Sequence, residues 1–347
     1  MNPRHLPTRH LWQYRTTIAT VRRSFYGKTA AEARRKGEDA ARADALGLRL
    51  GGSVGDWLES WLEDLPSRVK PATYRRYRGI ARTHLLPALG AIPLDRLTAA
   101  DVIAMESRMT KVAPATVRHA HVVLGTALQA AVAQGRMIAN PVRSVKPPRV
   151  THRDKVILSR ADAAKLLAAA KGDPFEALYV LALTAGMREG EILALRWRDV
   201  DLDAGTVSVT ATVVRDVNGD LTTDKPKTRA GRRTLPISDR ALAVLAEMER
   251  GKPGEFLFTS ATGLVSPQAL LRQHFYPLLD RAELPRMRFH DLRHTAATHL
   301  LEDGVPILAV ANLLGHASVA VTMGIYAHLT PRMTGAATAA MNARYPA

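Results

Sequence analysis

The chain has 347 residues and carries 49 Lys and Arg against 32 Asp and Glu, a formal charge of +17 and a pI of about 10.5. At roughly 100–200 residues per domain this length gives two or three domains, and the charge points to a polyanion, nucleic acid ahead of an anionic membrane surface, and away from an acidic-protein scaffold. Cysteine is absent, which excludes disulfides, thiolate zinc sites, iron–sulfur clusters and a cysteine nucleophile.

The positive charge is graded along the chain. Residues 1–50 hold 11 basic and 4 acidic side chains, 51–147 hold 13 and 7, and 148–347 hold 25 and 21. The opening MNPRHLPTRHLWQYR lacks the apolar core of a secretory signal, and runs such as FEALYVLALTAG are too short to span a bilayer. These features predict a cytoplasmic protein, nucleoid-associated when bound to DNA, with no membrane partner. LWQYRTTI and TVRRSFYG mix β-branched, aromatic and Arg residues, the composition of small exposed strands. Thr29, with Glu32 three residues on, reads as the capping box of an Ala-rich helix. A small sheet bearing Arg can lie in a major groove. Arg15, Arg22 and Arg23 are therefore candidate DNA contacts in a strand-and-helix domain over 1–50, the alternative being a solvated hairpin.

A Gly-rich junction, GLRLGGS, leads into a helical domain over 53–139. Its segments VGDWLESWLEDL, PATYRRYRGIARTHLLPAL, AADVIAMESRMTK and PATVRHAHVVLGTALQAAVAQG show apolar spacing near 3.6, and each starts at Ser, Thr, Asp or Pro. Leu85, Leu86, Leu89, Ile92, Leu94 and Leu97 are expected in the core, with Trp57 and Trp61. Arg75, Arg76, Arg78 and Arg82, interleaved with Tyr74 and Tyr77, form a basic face suited to phosphates, although a hydrated face has the same composition. His119 and His121 read as solvated or DNA-facing. The Pro-rich, basic stretch NPVRSVKPPRVTHRDK predicts an extended linker over 140–155.

Residues 156–347 read as a mixed domain. Helices are expected at 160–171, 174–185 and 189–197, then one alternating strand through TVSVTATVVR, a turn at Asn218–Gly219 and a strand at RRTLPI. Further helices are expected at 239–249, 267–281, 291–303, 306–314 and 318–327, with Trp197 in the core and Arg196 and Arg198 at the surface or on a nucleic-acid backbone. Four segments concentrate Arg, His, Lys and Tyr. TAGMREGEILALRWRDVDL carries Arg188 at a helix start with Glu191 a turn along, and KPKTRAGRRTLPI carries Lys227. FHDLRHTAATHL sets His290 and Arg293 on one helix face, and LGHASVAVTMGIYAHL carries His316 and then Tyr326.

These groups are cationic and hydrogen-bond donors, with no carboxylate pair and no metal-ligand spacing. Two arginines, two histidines and a lysine can surround a phosphodiester and neutralise a pentacoordinate phosphorane, so neither metal nor cofactor is expected. A tyrosine hydroxyl can serve as nucleophile, lysine as the acid for a leaving 5′-oxygen and histidine as base for the phenol. His290, His294 and His299 invite a zinc reading, but no H-E-x-x-H arrangement accompanies them.

The four segments closely resemble the tyrosine recombinase family, in particular its phage-type integrases. The pattern is G-x-R-x-x-E-[IL], a Lys in a hairpin turn, H-x-x-R, L-G-H and a Tyr about ten residues on. It is filled here by Gly186 to Ile192, Lys227, His290 to Arg293, Leu314 to His316, and Tyr326. The resemblance implies a mainly α fold with small antiparallel β-sheets, an α+β, multidomain architecture that clamps DNA. It implies an arm-type DNA-binding domain at 1–50, a SAM-like core-binding domain and a catalytic domain. By the same resemblance Arg188 and Arg293 would clamp the scissile phosphate, and His316 would donate to a non-bridging oxygen. His290 would act as base or phosphate ligand, Lys227 (with Lys225 as the competing residue) as general acid, and Tyr326 as the nucleophile of a 3′-phosphotyrosyl link, without ATP or metal. Glu191 would brace the Arg188 helix. Implied partners are double-stranded DNA at attachment sites, three further copies in a homotetramer, a host DNA-bending protein and an excision factor. The competing functions are a Xer-like resolving recombinase, a type IB topoisomerase and a DNA-binding regulator without catalysis. The extra first fifty residues favour an integrase of a phage or integrative element.

Overall fold

A computed structural model of the chain describes residues 2–6, 11–18, 21–45, 52–150, 155–226, 229–261 and 263–315, with Met323 and Arg344. Two compact units divide between His152 and Arg153. The fold is mainly helical, with small antiparallel sheets.

The first unit opens with an antiparallel sheet of β1 (Arg4–Leu6), β2 (Leu11–Ile18) and β3 (Val21–Gly27), covered by α1 (Ala30–Ala45). The Glu32 N–H donates to Thr29 Oγ1 at 3.1 Å, while the Glu32 carboxylate accepts from the Lys28 N–H at 2.8 Å. The cap thus closes one residue earlier than a standard box. Tyr14 is buried under α1, and an added Cβ on Gly37 would lie 2.3 Å from its ring, so only glycine lets helix and sheet approach this closely. In the β2–β3 register Gln13, Arg15 and Thr17 face Tyr26, Ser24 and Arg22, which places Arg15 and Arg22 on the sheet face opposite Tyr14.

The helical part comprises α2 (Val54–Asp64), α3 (Pro71–Ile80), α4 (Leu86–Leu89), α5 (Ala99–Arg108) and α6 (Pro114–Ala133). Ser53 with Asp56 and Thr98 with Asp101 form full capping boxes at α2 and α5, and Pro71 and Pro114 occupy the first turns of α3 and α6. Between α3 and α4 the helix widens to a π-turn over Ala81–Leu85, with the Leu86 N–H reaching back to Ala81 O. Pro87 cannot donate and clashes with the carbonyl four residues earlier, which accounts for the widening. The core holds Trp57, Leu58, Trp61, Leu85, Leu89, Leu94 and Leu97, with Leu86 and Ile92 packed at its edge. The Trp57 indole N–H donates to Ala127 O at 2.9 Å.

Two expectations for this unit are corrected. His121 is neither solvated nor directed at a ligand: it is buried, and its Nδ1 lies 2.7 Å from Glu106 Oε1 on α5. The stretch read as a linker starts inside the core. Pro141–Ser144 forms a 3₁₀ turn whose Val142 and Val145 are buried, and Asn140 donates to Gly125 O at 2.8 Å. Residues 151–154 lie outside the described residues.

The second unit contains α7 (Arg160–Ala169), α8 (Glu176–Thr184) and α9 (Glu189–Leu193), then β4 (Val200–Asp201), β5 (Thr206–Val209), β6 (Thr212–Arg215), β7 (Leu221–Asp224) and β8 (Arg233–Pro236). It continues with α10 (Asp239–Glu247), the short pair β9 (Thr259–Ser260) and β10 (Gly263–Leu264), α11 (Pro267–Leu270), α12 (Tyr276–Arg281), α13 (His290–Glu302) and α14 (Ile307–Leu314). A second π-turn, Leu271–Phe275, joins α11 to α12 and again precedes a proline, Pro277. The single strand expected through TVSVTATVVR is two strands in different sheets: β5 pairs with β4 and β8, and β6 with β7. The break falls at Thr210, whose hydroxyl donates to the buried carboxylate of Asp199 at 3.1 Å, and β6 then packs under α9. The turn between β6 and β7 is built on Asp216, whose Oδ1 accepts the N–H groups of Asn218, Gly219 and Asp220 at 2.9–3.0 Å, with Gly219 at φ +105°. Trp197, Tyr179, Phe275 and Phe289 belong to the core. Among the described residues no helix is long and apolar enough to cross a membrane. The helix expected at 318–327 lies outside the described residues.

Candidate active site

Arg188 caps α9 from a turn that only glycine can make. Gly186 sits at φ +61°, and an added Cβ would meet Leu314 Cδ2 at 2.7 Å. Met187 stays in the core, and the Arg188 side chain that follows it is 39% exposed. One face of its guanidinium is held: Nη1 lies 2.6 Å from Glu191 Oε1, and the Arg188 N–H donates to Glu191 Oε2 at 3.0 Å. Glu191 is 4% exposed and takes a second guanidinium, Arg233, at 3.0 Å. Burial alone would raise its pKa, and the hydrogen bond and charge of Arg233, then Arg188, outweigh that and hold it below the usual carboxylate range. The bracing role expected of Glu191 is present. Arg233 was missed, because an arginine in Arg-Arg-Thr-Leu-Pro reads as a surface residue of a strand.

Arg293 sits one turn into α13, only 2% exposed. Its Nη1 donates to Gly186 O at 2.7 Å and its Nη2 to Leu314 O at 2.6 Å. One buried guanidinium therefore ties the Arg188 turn to the end of α14, where Gly315 closes the helix at φ +66° immediately before His316. Charge-assisted bonds to two carbonyls fix the plane of the fork. Leu158, near the start of this unit, is anchored to the same helix: its N–H donates to Thr295 Oγ1 at 3.1 Å.

His290, one turn before Arg293, is exposed by surface area. Even so, the surrounding protein desolvates it enough to lower its pKa, and the guanidiniums of Arg293 and Arg188 push in the same direction. The ring is thus biased toward the neutral form that can accept a proton. It stands edge-on to His294 at 4.9 Å; burial lowers the pKa of His294 to about 4, and it is a core histidine.

Lys227, His316 and Tyr326 lie outside the described residues. Lys225 is exposed just after β7, with its N–H on Asp224 Oδ1 at 2.7 Å. Of the candidate DNA contacts, Arg15 and Arg22 are exposed, and the side chain of Arg23 lies outside the described residues. On α3 Arg76 is exposed and Arg75 and Arg78 are half-buried, and among the described residues none of the three pairs with a carboxylate. Tyr77 stacks on Trp61 with centroids 5.8 Å apart, and Tyr74 also packs on the core, so the tyrosines anchor this helix to the core, with the Arg76 guanidinium 5.9 Å from the Tyr77 ring.

Glu189, beside Arg188, has one carboxylate oxygen buried without a hydrogen-bond partner among the described residues, and burial pushes its pKa up to about 7. Between about 4.5 and 7 the folded chain keeps a proton that the unfolded chain has lost, so this group makes stability fall as pH rises through that window. Glu189→Gln removes the ionisation. Thermal or urea unfolding should show it more stable than the parent at pH 8 by roughly 1–3 kcal/mol, with the gap closing toward pH 5. A gap that does not change with pH would show that Glu189 does not titrate in this range.

The family model described as "Phage integrase family" matches residues 157–333, and that described as "Phage integrase, N-terminal SAM-like domain" matches 53–109. A "Tyrosine recombinase XerC-like" protein of Caldanaerobacter subterraneus subsp. tengcongensis is 28% identical over 364 residues, covering 93% of this chain and 92% of that protein. The "Putative prophage phiRv2 integrase" of Mycobacterium tuberculosis is 28% identical over 277 residues, covering 78% of this chain and 73% of its own. Among solved structures, the Tn1549 transposon integrase in complex with a circular intermediate DNA superposes with a TM-score of 0.68 at 21% identity, covering 79% of this chain and 94% of that one. A lambda integrase tetramer bound to a Holliday junction gives 0.62 at 19% identity, covering 91% and 96%.

Proposed function

We propose a reaction from one premise: the chain belongs to the phage integrase family and is a tyrosine-type site-specific DNA recombinase. It acts as the integrase of a phage or integrative mobile element, joining and separating DNA at attachment sites in the cytoplasm as a tetramer of this chain. Arg188 and Arg293 hold the scissile phosphate, and His316 donates to a non-bridging oxygen. The Tyr326 oxygen attacks phosphorus, with His290 taking the phenolic proton or ligating the phosphate. The bond to the 5′-oxygen breaks as Lys227 supplies its proton, leaving a 3′-phosphotyrosyl link and a free 5′-hydroxyl. One phosphoester replaces another, so resealing by a 5′-hydroxyl of a second strand needs neither ATP nor metal. Arg15 and Arg22 on the open face of the sheet and Arg75, Arg76 and Arg78 on α3 contact DNA phosphates, whereas the register pairs Arg23 with Thr16 on the face that α1 covers. A host bending protein and an excision factor set direction.

The observation that carries this reading is the buried Arg293, which joins the turn of Arg188 to the end of α14 directly before His316. Three separate motifs of the sequence thereby share one hydrogen-bonded centre. The test uses nicked suicide duplexes tiled across DNA flanking the gene, incubated with the full chain in chelator and without nucleotide. A protein–DNA adduct should form, and mass spectrometry of its digest should place the nucleotide on the peptide holding Tyr326. An adduct on another peptide, or binding without any adduct, would overturn the mechanism. A resolving recombinase is the second reading, favoured by the XerC-like relative that matches most of the chain. The two part on DNA length: an integrase that engages a second site through its N-terminal sheet requires long attachment duplexes to recombine, and a resolving recombinase needs only the short core site.

A further inference from the structure

We propose that Arg233 is a positioning residue of the recombination site, locking the brace of Arg188, the turn that follows Lys227 and the end of α14 into one register. The inference rests on the reading of Arg188 as a ligand of the scissile phosphate.

Arg233 opens β8, and its side chain is 8% exposed, with all three guanidinium nitrogens turned onto protein acceptors. Its Nη2 donates to Glu191 Oε2 at 3.0 Å and its Nη1 to Glu191 Oε1 at 3.3 Å. Nη1 also donates to Gly231 O at 3.2 Å, and Nε to Leu313 O at 2.7 Å. One rigid fork therefore spans α9, the 229–231 turn and the last turn of α14. In sequence Gly231 lies four residues after Lys227, and Leu313 three residues before His316. Gly315 rests against the same group: an added Cβ would lie 2.9 Å from Arg233 Nη1 and 2.8 Å from Ala230 O.

The chemistry of the buried carboxylate explains why this controls Arg188. Glu191 is shared by two guanidiniums, one buried and one open to solvent. While Arg233 occupies the inner side, the carboxylate needs only one contact from the Arg188 side chain, at 2.6 Å. Without it, the uncompensated charge would draw the Arg188 guanidinium inward into a two-point pair and away from a phosphate. Lysine cannot substitute, because a point charge cannot donate in the plane to Glu191, Gly231 and Leu313 together.

The test compares the full-length parent, Arg233→Lys, Arg233→Ala and Arg188→Lys on the suicide duplex that traps the parent. Single-turnover adduct formation, duplex affinity and melting temperature are measured for each. Arg233→Lys should fold and bind the duplex as the parent does, yet form adduct roughly 100-fold more slowly, the scale of a misplaced reacting group. Guanidinium added to Arg233→Ala should restore part of the rate, and methylammonium should not. If Arg233→Ala does not fold, the lysine variant decides alone. Adduct formation at the parent rate by Arg233→Lys, with only the melting temperature lowered, would reduce Arg233 to a packing residue. Arg188→Lys separates the two levels: if it is slow while Arg233→Lys is normal, only the positioning role fails. If Arg188→Lys also cleaves at the parent rate, the phosphate reading of Arg188 fails first.

Discussion

Replacing Tyr326 by Phe should leave a chain that folds, binds its duplex and forms no covalent adduct. The change removes one oxygen, and in the proposed reaction that oxygen is the atom that bonds to phosphorus. Binding should survive because DNA affinity comes mainly from cations displacing counterions along the backbone, and Phe alters no charge. Loss of a covalent nucleophile costs on the order of 10⁴–10⁶-fold in rate, below detection in a gel assay. The chain has eight tyrosines, and the structure limits which could take over. Tyr179 is fully buried, Tyr14 is buried under α1, and Tyr74 and Tyr77 pack on the helical core of the first unit. An adduct that persists in Tyr326→Phe would move the nucleophile to a tyrosine outside these four and dissolve the present site. Denaturing gels with labelled duplex decide it.

What the sequence made legible follows from how far each signal reaches. Ser53 and Asp56, Thr98 and Asp101, and the first-turn prolines act within four residues, so the starts of α2, α3, α5 and α6 could be read directly. The motif arginines were legible because their spacing is local: Arg188 with Glu191, and His290 with Arg293, each lie one helical turn apart. The partners that orient them were not. Arg233 meets Glu191 across 42 residues and Leu313 across 80, and no periodicity reports such a pairing. His121 was misjudged for the same reason, since Glu106, 15 residues earlier, lies on a different helix. TVSVTATVVR alternates as far as Val213, and the break at Thr210 coincides with its bond to the Asp199 carboxylate, which no alternation reports. Val142 and Val145 carried too little periodicity among prolines and basic residues to announce that they enter a core.

Arg293 is where fold and proposed chemistry depend on the same atoms, so its removal should fail in both. Truncation to alanine leaves the carbonyls of Gly186 and Leu314 without their buried donor, at about 1–3 kcal/mol each, and opens a hole beneath α13. A loss on the order of 3–5 kcal/mol is expected in urea unfolding, large against the 5–15 kcal/mol that holds a typical domain. Arg293→Lys is the sharper variant. It keeps the charge but can satisfy only one of two carbonyls that the fork reaches from opposite ends, so the stability loss should shrink while adduct formation stays undetectable. Two simpler accounts predict otherwise. A residue that only ligates phosphate would leave the unfolding curve unmoved in both variants, and one that only supports the fold would let the surviving folded Arg293→Lys cleave at the parent rate. Loss in both measurements follows because Arg293 holds the Arg188 turn and the approach to His316 with the same guanidinium it would offer to the phosphate.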